Sequence, residues 1–395
     1  MDKNRLKSLD ILRGIAIILV FVNHIEPRIS PAVANLKGTT GYLFWHIKGI
    51  GWTGVDFFFV ISGFLISGLL FNELDKTGTL KWGRFWLRRG FKIWPSYFLL
   101  LLVLGLTGAT NYIDHRTTLT AVESILPHVL FLQNYLPGGN PNGPTWSLAI
   151  EEYFYIFLPV MLSLTVVLAA RFSRKWSDFI PGLTLFVVLA CLAMRVADLL
   201  GGSMDAGDYS RTHLRMDALM IGVYLNYLIR NRARVILWIE QHPRAGLLIA
   251  ALLLSPSFFV NRVNPYMFTI GFPLLSVGFS IVLVLVYHGL LKPVESNIIM
   301  TAVARVGLWS YNIYLWHYFV VLLPIPGYAA ANQWLLTHVS ATGLLIASQS
   351  ALFIFTSILI GAVLTILVEN PLLKLRNRVV PTTSRILPEA QTKPV

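Results

Sequence analysis

Cysteine is almost absent. Cys191 is the only one in 395 residues, so the chain cannot close a disulfide on itself, and in the middle of an apolar stretch that thiol reads as packing before it reads as a nucleophile. Charge is scarce too: 13% of residues are charged against 55% hydrophobic, a balance that excludes a soluble domain of this size. The nine histidines show neither the His-Glu-x-x-His nor the Cys/His spacing of a metal site, and no protein-bound metal is expected. No small-residue cleavage site follows the apolar run behind basic Met1–Lys7, so that end is expected to stay in the mature protein. The two halves of the chain share no repeat, and the loops leave no room for a separate soluble or output domain.

In place of these the chain carries long apolar runs of the length that crosses about 30 Å of hydrocarbon as a helix. Ten are read, at 10–26, 50–71, 92–109, 146–169, 180–200, 213–230, 245–260, 267–290, 299–323 and 345–369. The shortest, 245–260, is interrupted near its end by Ser255-Pro256. The prediction is an all-α polytopic membrane protein of about ten transmembrane helices: one domain over 1–378, then a tail, 379–395, whose Pro381, Pro388 and Pro394 point to disorder. The longest loop, 110–145, is expected to hold a short helix near Glu123–Leu132.

Basic residues follow these spans. With ten crossings and both termini in the cytoplasm, 24 of the 32 Lys and Arg lie at or beside the inner side and 8 lie at the outer side, as the positive-inside rule requires. One span more or fewer would invert the bias downstream. The net charge of +13 therefore reports topology and attraction to anionic lipid, and makes no case for nucleic acid.

Ionisable groups inside a membrane helix are costly and mark candidate sites. Arg13 and His24 lie eleven residues apart in the first span, about three helical turns, which sets them on one face about 16 Å apart. An outer layer is expected to hold His24, Asp56, Trp146, Ser147, Glu151, Glu152, Arg215, Asp217, Tyr314 and His317. An inner layer holds Asp10, Arg13, Arg84, Arg88, Arg89, Lys92, Arg305 and Glu369, with Pro95 expected to bend the third span at its mouth. The outer layer has the makings of acid/base chemistry, with Asp56, Glu151 or Glu152 as the carboxylate that would orient His24. The inner layer would attract phosphate; its bland alternative is a set of anchors for lipid headgroups. Arg13 has a structural alternative as well, pairing with Asp10 or Glu369.

The same stretches resemble the integral-membrane acyltransferase-3 family, bacterial O-acyltransferases of cell-surface sugars with macrolide-acylating and other small-molecule members. Leu9-Asp10-Ile11-Leu12-Arg13-Gly14 with Asn23-His24 looks like its opening Arg-x10-His motif. Gly54-Val55-Asp56-Phe57-Phe58-Phe59-Val60-Ile61-Ser62-Gly63-Phe64 matches its second-span signature, and Arg89-Gly90-Phe91-Lys92-Ile93-Trp94-Pro95 its Arg-x-x-Arg-Ile-x-Pro segment. Thr145-Trp146-Ser147-Leu148 with Glu151-Glu152-Tyr153-Phe154-Tyr155, Arg215-Met216-Asp217 with Gly222, Ser310-Tyr311-Asn312-Ile313-Tyr314-Leu315, and Glu369-Asn370-Pro371 follow in order. Lys92 departs from the pattern, keeping the charge of the second arginine without its planar fork.

The resemblance implies a bacterial inner-membrane enzyme with no tightly bound cofactor. Acyl-CoA, most simply acetyl-CoA, would be the donor, its phosphates on Arg13, Arg88, Arg89 and Lys92. His24 would be the general base, with Asp56, Glu151 or Glu152 beside it, acting directly or through an acyl-histidine. Trp146, Ser147, Arg215, Asp217, Tyr314 and His317 would meet an acceptor hydroxyl on a sugar or glycan arriving from outside, or alternatively on a small secreted molecule such as a macrolide. The hydrolase-like domain of some members is missing, so transfer would be completed by the membrane unit alone. The rival of another class is a secondary transporter or flippase.

Overall fold

The computed structural model describes residues 7–25, 29–30, 32–33, 36–107, 121–136, 143–202, 208–323 and 325–381. Among them the regular elements are helices and helical turns, with no strand. In chain order they are α1 (Lys7–His24), α2 (Gly38–Gly49), α3 (Thr53–Thr77), α4 (Trp82–Thr107), α5 (Ala121–Val129), α6 (Thr145–Phe172), α7 (Ile180–Leu200), α8 (Met216–Arg230), α9 (Arg234–Gln241), α10 (Pro243–Leu254), α11 (Pro256–Phe259), α12 (Phe272–Tyr287), α13 (Ile298–Trp316), α14 (Pro326–His338), α15 (Thr342–Leu364) and α16 (Asn370–Val379). The short helix expected in the longest loop is α5. The tail expected to be disordered lies, beyond residue 381, outside the described residues.

Every one of the ten expected spans falls on a helix. Seven helical runs are long and apolar enough to cross a membrane, and an eighth arises if α9 and the helix after it form one span bent by 107°. The protein is therefore a multi-pass membrane protein. The other two, α1 and α8, have 18 and 15 residues and carry Asp10, Arg13 and His24, or Asp217 and Asn226. They can be short and polar because most of their residues are buried against neighbouring helices, α1 showing only a narrow face with Ile15 and Ile18 exposed. Burial grades the spans in the same way: the most apolar window of the α3 run is 78% buried, that of α7 only 17%.

Proline sets the departures from the expected boundaries. The 107° bend falls at His242-Pro243, upstream of Ser255-Pro256, because the proline ring drives the preceding residue out of the helical region and His242 sits at φ −125°, ψ 60°. α4 begins at Trp82, ten residues before the expected start, which places Pro95 inside the helix instead of at its mouth. In α6, Pro159 has no N–H to give the Tyr155 carbonyl, and the Trp86 indole donates to that carbonyl at 2.9 Å. The two π-helical turns, Met267–Gly271 and Thr365–Glu369, each end two residues before a proline, Pro273 and Pro371; the wider turn relieves the clash that the ring would make in a regular helix.

Two helix pairs form the centre, α1 along α13 and α3 along α8. Glycine on both members makes the first possible. A Cβ at Gly307 would stand 1.8 Å from the Asp10 carbonyl oxygen, and one at Gly14 would stand 2.2 Å from that of Val303. Helices associate in lipid chiefly through such close packing, since the hydrophobic effect does not distinguish a neighbour from an acyl chain.

Gly307→Leu is therefore expected to destabilise the protein by at least the ~1–3 kcal/mol of ordinary overpacking, read as a lower unfolding temperature in detergent. Gly182→Ala, where a Cβ meets nothing within 4 Å, is the control and should leave that temperature unchanged.

Candidate functional site

His24 is the last residue of α1, and His317 follows the last residue of α13. The pairing of these helices brings the two imidazoles together, with His317 Nε2 3.4 Å from His24 Nδ1 and ring centroids 4.7 Å apart. His24 Nδ1 also lies 2.9 Å from the Val20 carbonyl, one helical turn back. His317 is fully buried, its Nδ1 2.6 Å from the Tyr314 carbonyl.

Ser147 and Tyr314 join this group. The Tyr314 hydroxyl is 2.7 Å from Ser147 Oγ, and both donate to the Pro144 carbonyl at the start of α6, at 2.9 and 3.1 Å. Trp146 is buried beside them, edge-on to Phe59 and Tyr209 at 6.0 and 5.0 Å. Gln133 and Asn134 donate to the carbonyls of Thr145 and Trp146 at 2.9 Å each, so the loop after α5 pins the start of α6. Of the expected outer layer, then, His24, His317, Tyr314 and Ser147 are joined by contacts, while Trp146, next to Ser147 in the chain, packs on Phe59 and Tyr209.

The carboxylates have other partners than the one expected. Glu151 accepts from Tyr155 Oη at 2.8 Å, and Ser62 Oγ lies 3.0 Å from the same hydroxyl. Arg13 and Arg89 are the cations whose fields reach Glu151. Glu152 accepts from Trp94 Nε1 at 3.2 Å, with Arg89 again close by. Both glutamates therefore sit with the cationic layer and not at the depth of His24. Helix rotation, which hydropathy does not encode, turns the second turn of α6 toward α4, so Glu152 meets Trp94 and both glutamates lie near Arg89.

Asp56, Arg215 and Asp217 form a separate, dry group. Arg215 pairs with Asp56, Arg195 Nη1 lies 2.7 Å from Asp217 Oδ2, and all four side chains are at most 1% exposed. Phe272 lies under both guanidinium groups, 3.7 Å from that of Arg215 and 5.6 Å from that of Arg195. Arg195 also donates to the Leu214 carbonyl at 2.7 Å. This neutral quartet ties α3, α7 and α8 to α12. Arg195 was missing from the sequence-derived set, although a lone cation inside an apolar span is itself a signal. Arg262 was also missed. It stacks on Tyr209 at 3.9 Å and, with Lys48, contributes positive potential at His24.

At the other end of the bundle the basic residues converge. Lys92 pairs with Glu369, which also accepts from Asn312 Nδ2 at 2.8 Å. Arg84 and Arg88 donate to the carbonyls of Pro381 and Val380. Arg89 lies 5.9 Å from the rings of Phe85 and Tyr155, and its buried Nε makes no hydrogen bond. Arg376 of α16 adds a further cation beside Arg88 and Arg89.

Removing one partner from a buried ion pair strands the other charge, at a cost of about 3–5 kcal/mol. Asp56→Ala should lower the unfolding free energy in detergent by that amount, and Asp56→Ala with Arg215→Met should recover much of it. Additive losses in the double variant would contradict the pairing.

A family profile described as an acyltransferase domain matches residues 6–368. Among curated proteins, one provisionally named O-acetyltransferase from Staphylococcus aureus is 29% identical over 80% of this chain and 50% of its own length. A provisionally named peptidoglycan O-acetyltransferase from Bacillus subtilis is 28% identical over 75% of this chain and 48% of its own. The acyltransferase MdmB of Streptomyces mycarofaciens is 26% identical over 95% of this chain and 93% of its own. The chain thus spans about half the length of the first two. No solved structure matches. With the profile covering nearly the whole chain and its motifs falling on one helical bundle, the protein belongs to the acyltransferase domain family.

Proposed function

We propose that the protein is an O-acyltransferase of the bacterial inner membrane, with both termini in the cytoplasm. It moves an acyl group, most simply acetyl, from cytoplasmic acyl-CoA to a hydroxyl of a cell-surface or exported sugar. The observation that carries the reading is the arrangement along α1: a histidine pair at one end, beside Ser147 and Tyr314, and Arg13 among the acidic and basic side chains of α4 and α6 toward the other.

In this reading the donor's phosphates meet Arg13, Arg88, Arg89 and Lys92. Arg89, with an unpartnered Nε, is the first contact, while Arg88 would exchange the Val380 carbonyl for phosphate and Lys92 would share itself with Glu369. The pantetheine arm, comparable in length to the Arg13–His24 separation of about 16 Å, carries the thioester up the bundle to His24.

The acceptor's O–H bond breaks as its proton passes to His24, and its oxygen bonds to the thioester carbonyl carbon. The carbon–sulfur bond then breaks, and the coenzyme A thiolate takes that proton back from His24. Atoms and charge balance with no tightly bound cofactor. Ser147 and Tyr314 supply hydroxyls beside the histidine pair to meet the developing oxyanion or the acceptor. Asp56, Arg215 and Asp217 act here through the scaffold, as the quartet that holds α3 and α8.

A small exported molecule is the second reading of the acceptor. It is favoured by the near full-length match to a relative whose name mentions no glycan.

His24→Ala should abolish donor consumption in purified, detergent-solubilised protein while leaving it folded; full residual activity would remove the mechanism. Arg89→Ala should raise the donor KM about tenfold, the effect of losing one charged hydrogen bond of ~1.5 kcal/mol. Because detergent leaves no sealed compartment, acyl-CoA turnover there also separates an acyltransferase from a transporter.

A further inference from the structure

We infer that His317 is a positioning residue that selects which nitrogen of His24 is the base, an inference that rests on the reading of His24 given above. The two rings form a hydrogen-bond relay with one consistent proton arrangement, and that arrangement follows from carbonyl oxygens that only accept.

The relay starts at the buried end. His317 Nδ1 lies 2.6 Å from the Tyr314 carbonyl, so Nδ1 carries the proton, and in a neutral imidazole Nε2 is left with the lone pair. The 2.6 Å contact to the Tyr314 carbonyl and the packing of Phe21, Phe353 and Tyr314 around the ring, at centroid distances of 6.0, 6.4 and 5.8 Å, hold it in this orientation. Its lone pair faces His24 Nδ1 at 3.4 Å. The same Nδ1 faces the Val20 carbonyl at 2.9 Å. Two acceptors thus converge on His24 Nδ1, which must hold a proton, and the lone pair of His24 is confined to Nε2.

The consequence for proton transfer is directional. An acceptor hydroxyl can be deprotonated only at His24 Nε2, and the imidazolium so formed keeps its Nδ1–H on both acceptors. A doubly protonated His317 would set one N–H against another at 3.4 Å, so His317 stays neutral while His24 cycles. In metal sites and hydrolases alike, a group that fixes a histidine's tautomer without touching substrate contributes substantially to rate. In those cases the group is commonly a carboxylate or a carbonyl; here it is a second imidazole together with a helix carbonyl.

The test compares His317→Phe, which fills the same cage without an acceptor, with His317→Gln, whose amide can accept from His24 and donate to Tyr314. His317→Phe should lower kcat about 100-fold, the low end of a positioned general base, with both KM values unchanged. Nitrogen-15 histidine spectra, with His24 identified by its loss in His24→Ala, should show a single Nδ1–H tautomer in the wild type and a mixture in His317→Phe. His317→Gln should recover both the tautomer and most of kcat. If His317→Phe does not insert, His317→Asn, too short to reach His24, takes its place. The inference is overturned if the wild-type spectrum shows His24 protonated at Nε2, if kcat survives His317→Phe, or if Gln rescues no better than Phe. An active His24→Ala would instead overturn the underlying reading of His24.

Discussion

The contact of α1 with α13 is the constraint on which the rest depends. Two helices can approach until the backbone of one touches the backbone of the other only where both lack side chains, and Gly14 and Gly307 supply that at their crossing. From this crossing the helices run on to end at His24 and Trp316, so the register that the glycines set is also the register that brings His24 to His317. A slip of one residue along α13 would rotate His317 by about 100° away from α1. Packing at one depth and acid/base geometry at another are therefore a single feature.

Burial explains why so many polar groups here come in sets. In a low-dielectric interior an unpaired charge costs more than a folded protein can spare. The charges that α3, α7 and α8 carry inward accordingly cancel in pairs, Asp56 with Arg215 and Asp217 with Arg195. The His24–His317 pair meets the same demand without net charge. By contrast the cluster around Arg88, Arg89 and Arg376 leaves positive charge concentrated at one end of the bundle, the property that suits an anionic ligand.

Much of this was legible in the amino-acid order. Hydropathy suffices to place each of the ten expected runs on a helix, since the length of an apolar run answers to bilayer thickness. Seven of the helical runs are long and apolar enough to cross a membrane, and an eighth is if the bent pair is one span. Four of the polar residues inside the expected runs, His24, His317, Tyr314 and Ser147, do meet in one place. What could not be read is which polar residue answers which, because pairing depends on helix rotation and on where a helix begins. α4 starts ten residues earlier than expected, at Trp82, and the rotation of α6 turns Glu151 and Glu152 toward it, beside Trp94 and Arg89 instead of His24. Arg195 escaped notice because it belongs to no motif, and its role exists only relative to Asp217 in another helix.

The most direct test of the account is a structure of the protein in lipid with a non-hydrolysable acyl-CoA bound. The account predicts the nucleotide phosphates on Arg89 and its basic neighbours, the acyl carbonyl carbon within about 3.5 Å of a hydroxyl poised over His24 Nε2, and the His24–His317 contact intact. A donor lying outside the bundle, or its acyl carbon separated from His24 by the packed helices, would contradict it.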